Sequence, residues 1–224
     1  MKTFISIAVS SLVILFTSCS SKTDTPVKIV SNADLLAMFE EIQPDNLHVW
    51  AKCDKPGGAK FQGKQLDTTY FPLFGSYMNG YKQYSTDPKT HITKYSGSYL
   101  YACYKFNIDD SFIGLIVRGP SQYEESAIDL WICDKRNNRL IKSIELADSF
   151  GDENWYFNKE SWIKAMNNSF LIISRKIDHE INETTSIDRV TSDSLAFTKL
   201  ASDKVVKVDL FGINKADFKM FSEK

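Results

Sequence analysis

Hydrophobic positions along this chain change rhythm near residue 44. Before it, Leu35, Leu36, Met38, Phe39 and Ile42 recur at helical spacing, Ser31-Asn32-Ala33-Asp34 reads as an N-cap with an acid in the first turn, and Pro44 stops the pattern. These residues predict one amphipathic helix of about three turns. Its polar face carries Asp34, Glu40 and Glu41, the wrong charge for a membrane-surface helix, so the helix is expected to pack on a core. After Pro44 the period shortens to that of strands. Leu47–Lys52, Ser98–Phe106, Ser111–Arg118, Ala127–Cys133, Arg139–Leu146, Ser169–Ile177, Ile187–Thr191, Ser194–Leu200 and Lys204–Leu210 read as β-rich runs. Several of the links, such as Asn107–Asp110 and Asp134–Asn138, are short and built of turn formers, which forces antiparallel pairing because a parallel crossover needs a dozen or more residues.

Two strands indicate where they sit. In Lys204–Leu210, Val206, Val208 and Leu210 share one side and Lys207 and Asp209 the other, a half-exposed pattern. Phe112–Val117 is apolar on both sides, so it is expected to lie centrally with cover on each face. The predicted fold is mainly β: an antiparallel meander forming a small β-sandwich or partly open barrel, with one N-terminal amphipathic helix. No repeat of fixed period interrupts it, and the length is too short for the blades of a propeller.

Composition narrows the partners. The chain is 43% apolar and 25% charged, the balance of a globular protein, and 13% aromatic. A formal net charge of −1, with no basic run, supplies no field for nucleic acid, so no nucleic-acid partner is expected.

A third rhythm lies at the start. Lys2 precedes an apolar run from Phe4 to Phe16, too short to span a bilayer, and Thr17-Ser18 lead into Cys19. The segment resembles a bacterial lipoprotein signal peptide. The resemblance implies removal of residues 1–18, acylation of Cys19 with palmitate-type chains, a lipidated tether over 19–30 and one globular domain over 31–224. With its short tether and β domain the chain is similar to small lipoproteins of Bacteroidota, which implies a lipid anchor in the cell envelope, at the outer membrane, with the membrane face open. The same resemblance implies O-glycan acceptors at Asp-Ser/Thr followed by a small or aliphatic residue, here Thr68 and Ser194.

Candidate chemistry is sparse. Cys53, Cys103 and Cys133 remain once Cys19 carries lipid. A Cys103–Cys133 bridge is one reading, three small buried thiols the preferred one, and their spacing lacks the pairing of a zinc site. His48, His91 and His179 have no ligand-spaced neighbour, and neither a nucleophile elbow, a phosphate loop nor a dinucleotide fingerprint is present. The acid pairs Asp109-Asp110, Glu124-Glu125 and Asp152-Glu153 fall in predicted turns, where carboxylates bond local backbone. No metal or cofactor is expected. Two aromatic segments stand out as ligand contacts: Tyr70, Phe74, Tyr77 and Tyr81 in a Pro- and Gly-containing loop, and Trp155 with Tyr156 in a predicted turn. Packing in the core is the competing reading for both. The expectation is a non-catalytic envelope lipoprotein that binds a ligand or partner protein. The alternatives are an envelope inhibitor or immunity-type protein and, third, an enzyme.

Overall fold

The computed structural model describes residues 31–51, 61–67, 69–70, 73, 82–91, 93–120, 126–136, 139–152, 154–182, 184–201 and 204–207. In chain order these form α1 (Asn32–Leu36), β1 (Glu40–Glu41), β2 (Leu47–Trp50), β3 (Lys64–Gln65), β4 (Lys82–Thr86) and β5 (Thr93–Ser98). The long strands follow: β6 (Tyr101–Asn107), β7 (Phe112–Pro120), β8 (Ser126–Asp134), β9 (Leu140–Asp152), β10 (Trp155–Met166), β11 (Ser169–Asn182), β12 (Ile187–Ala201) and β13 (Lys204–Lys207).

From β6 to β13 each strand pairs antiparallel with the next, the meander that short links require. The sheet is mixed because β1 runs parallel to β6 at its edge. Among the described residues the ends of the path, β1 and β13, do not pair, so the sheet is not closed into a barrel. β4 and β5 form a separate hairpin.

β9 is the corner of the molecule. Up to Ala147 it pairs with β8; from Asp148 to Asp152 it pairs with β10. Register shifts against β8 at Ile128/Asp129, where Leu146 is the extra residue, and such a bulge sharpens the bend. The edge of β10 that β9 leaves is taken over by β2 from Glu160 to Ile163. Both halves of the sheet therefore contribute to one core: Phe106, Ile116, Leu130 and Ile132 from the first half, and Val49, Ile163, Ile172 and Leu200 from the second.

The other face of β6–β8 carries a second core, with Leu35 and Phe39 laid over Ile113, Leu115, Val117 and Trp131. β7 thus has cover on both faces, as its apolar pattern predicts. Cys103 belongs to the first core and Cys133 to the second, on opposite faces of the sheet. A bridge between them is ruled out by that placement. Burial pushes the Cys133 thiol up to about 12, so it stays protonated. Cys53 lies outside the described residues.

The helix is shorter than predicted. Ser31 and Asp34 form a reciprocal capping box, but α1 ends at Leu36, where Lys105 Nζ donates to the Leu36 carbonyl at 2.8 Å. Backbone at Glu40–Ile42 pairs instead with the edge of β6, including Ile42 N–H to the Lys105 carbonyl at 3.0 Å. An open strand edge satisfies those groups where another helical turn would leave the edge bare. Leu35 and Phe39 still point into the same core.

Candidate functional site

Strands β10, β11 and β12 run past the core. Among the described residues of 148–160, 175–182 and 187–199 no side chain is fully buried. What sits on this projecting end is set by strand alternation: neighbours in sequence face opposite ways, and paired residues on adjacent strands face the same way.

One face carries rings. Phe157 pairs with Phe150 across β9–β10, their centroids 6.0 Å apart, and Trp155 lies two residues along β10 with its ring 20° from parallel to that of Phe157. Trp155 is 43% exposed, whereas the chain's other tryptophans, Trp50, Trp131 and Trp162, are buried. Beside the rings, β11 presents polar groups in register: Lys176, Asp178 opposite Phe157 and Glu180 opposite Trp155. Lys176 Nζ lies 4.4 Å from the Phe157 centroid and 2.9 Å from the Asp178 carboxylate.

The opposite face carries two ionic clusters. Near the tip, Tyr156 stacks on His179 at 4.2 Å, and Asp188 accepts from the Tyr156 hydroxyl at 2.7 Å and lies 2.9 Å from His179 Nδ1. One carboxylate thereby ties β10, β11 and β12 together. The two bonds hold the Asp188 carboxyl below its ordinary range, and the bond to Asp188 pushes the Tyr156 phenol up to about 12. Closer to the core, His48 stacks flat on Trp162 at 4.5 Å and meets Glu160 at 2.7 Å. Arg175 clamps Asp193 through Nε and Nη2, both at 3.1 Å, which raises the already high guanidinium pKa, and reaches Glu160 at 3.9 Å.

The aromatic residues singled out in the sequence are distributed as follows. Trp155 and Tyr156 both stand on the projecting end but face opposite sides, so they do not converge on one ligand. They belong to a strand, β10, where a turn was expected; Asn154, just before that strand, lies in a turn. Tyr70 is half-buried and packs with Leu73 against the second core. Phe74, Tyr77 and Tyr81 lie outside the described residues, as do Cys19, Thr68 and the pair Glu124-Glu125. Ser194 is exposed on β12, with Asp193 before it held by Arg175. Asp109 accepts from the backbone of Ser111 and Phe112, the turn role its position predicts. Phe157 closes the aromatic segment that the sequence singles out around Trp155; Phe150 was missed, although Phe150, Trp155 and Phe157 are related by the alternation of two paired strands.

A separate open cleft of about 470 Å³ lies where β1 and β3 share the edge of β6, lined by Met38, Glu40, Gln62, Gly63, Lys64 and residues 102–104. Among the described residues no three His, Cys, Asp or Glu side chains cluster as a metal site would require. No protein family, curated protein or solved structure matches the chain.

Proposed function

We propose that this chain is a non-catalytic binding protein of the bacterial cell envelope, anchored at the outer membrane by acylated Cys19, with the projecting end of β9–β12 as its binding element. The fold is read as a small two-layer sandwich bent at β9, whose shared core leaves that end free to meet a partner. The observation that carries the reading is Trp155. A large ring exposed beside two others, on strands that no core residue requires to continue, is costly to leave in water and is typical of interaction surface. Residues 2–19 support the anchor, through the charged start, the apolar run and the small residues before Cys19.

An inhibitor that inserts the β11–β12 hairpin into an enzyme would use the same projection. The two readings differ in partner, not in the element used.

The test is retention of detergent-solubilised envelope components on the purified, immobilised protein, where the acyl chains hold it to no bilayer. Wild-type protein is expected to retain a component that Trp155→Ala does not, at equal melting temperature. Equal retention by both proteins would show that this end is not the binding element.

A further inference from the structure

The ring-bearing face of the projecting end has a second half that its apolar half does not explain. The rings occupy β9 and β10; in register beside them, β11 places Lys176, Asp178 and Glu180, and β12 places Arg189 opposite Glu180 and Ser192 opposite Asp178. Strands lie about 4.8 Å apart, so donors and acceptors stand roughly 5–10 Å from the ring of Trp155. From the juxtaposition of the exposed Trp155 ring, backed by the half-buried Phe150 and Phe157, and an adjacent hydrogen-bonding stripe, we infer that this face binds a saccharide. One pyranose stacks its C–H face on Trp155, and its hydroxyls reach Asp178, Glu180 and Lys176. The inference rests on the proposed binding role of this end and adds the ligand class.

Three observations select a saccharide over other occupants. The platform is three rings, far smaller than the roughly 800 Å² per partner that a stable protein interface buries. Its charges are balanced, with Lys176 paired to Asp178 and Lys159 paired to Glu145 at 2.8 Å, which suits a neutral polyol and gives no pull toward anionic lipid. A sugar also needs both of the features that alternate here, a flat apolar surface and closely spaced donors and acceptors of both kinds.

Trp155 provides its own reporter, because the other three tryptophans are buried and acrylamide quenching of the folded protein is dominated by the exposed ring. The full-length protein, kept in a non-glycosidic detergent, is screened on an array of neutral, amino and acidic oligosaccharides. Hits are titrated by acrylamide quenching and by calorimetry, the latter serving Trp155→Ala, which lacks the reporter ring. The expected result is a saccharide that shields Trp155, with Trp155→Ala binding about tenfold more weakly at unchanged melting temperature, the loss of one stacked ring. Asp178→Asn and Glu180→Gln should each weaken binding while leaving the quenching of free protein unchanged. An array without Trp155-dependent binding overturns the saccharide, as does shielding of Trp155 by phosphatidylcholine vesicles alone. If retention of an envelope component still depends on Trp155 in either case, the binding role of this end stands and only the ligand class is lost. If retention is also indifferent to Trp155, both fall.

Discussion

Asp129 gives the sharpest physical test of the fold. It lies on β8 opposite Glu145 of β9, just where the strand bends, and beside Asp148 and Lys159. Burial, followed by the like charge of Glu145, pushes its carboxyl from the ordinary 3.8 up to about 6, against the pull of Lys159. Folding therefore raises the affinity of this group for a proton. The stabilisation is fully present below pH 3.8, where the carboxyl is protonated in both states, and is lost as pH rises through about 6. At about 1.36 kcal/mol per pH unit, the gap between 3.8 and about 6 amounts to about 3 kcal/mol of destabilisation at neutral pH relative to acid.

Asp129→Asn removes the charge and keeps the shape. At pH 7.5 the variant should be more stable than wild type by up to about 3 kcal/mol, about 6–12 °C in melting temperature for a domain of this size. At pH 4 the advantage should shrink to a small remainder. Thermal melts of both proteins from pH 4 to 8 check this, and the difference between the two curves cancels the titrating groups that do not interact with Asp129. A variant equally stable or less stable at pH 7.5, or a difference that does not depend on pH, refutes the buried-carboxylate account.

Three further outcomes follow from the packing. Gly151 pairs with Tyr156 at the β9–β10 corner, and a Cβ there would collide with the Tyr156 side chain and lie 2.8 Å from the Trp155 carbonyl oxygen; Gly151→Ala should cost about 1–3 kcal/mol in urea melts. Phe39→Asp should lower stability by about 3 kcal/mol or more, because it buries an unpaired charge in the second core, and an unchanged denaturation midpoint would mean that the segment after α1 is not docked. Trp155→Ala, by contrast, should leave the midpoint within about 0.5 kcal/mol of wild type, since the ring stands beyond both cores.

Alternation carried most of the fold. The central position of β7 follows from apolar residues on both of its faces, and the antiparallel order from short polar links. The helix was overread because Leu35 and Phe39, four apart, enter one core whether the chain between them and Ile42 continues as helix or straightens into β1. Periodicity cannot register the free edge of β6 that decides the matter. β10 was missed because Asn158, Lys159, Glu160 and Ser161 interrupt its apolar positions. They are polar for a tertiary reason: Glu160 meets His48 and Arg175, and Ser161, though buried, bonds to the Leu146 carbonyl and to Ser174. For the same reason Ile187–Thr191 and Ser194–Leu200 read as two strands, whereas β12 is one, with a register shift near Thr191. At the proposed site, the aromatic pattern singled out Trp155, which stands exposed on the projecting end. The face assignment that separates it from Tyr156 required knowing that both lie within a strand.

The account depends most on what happens at Cys19. The direct measurement is metabolic labelling with an alkynyl fatty acid in a bacterium that processes lipoproteins, for wild type and Cys19→Ser, followed by fractionation of the cells in high salt. The account predicts that wild-type protein carries the label and sediments with membranes. Cys19→Ser should carry none and leave the membrane fraction, because the multiply acylated terminus is what holds the protein there. A Cys19→Ser protein that stays bound to membranes without label, or a wild-type protein that is never labelled, would contradict it.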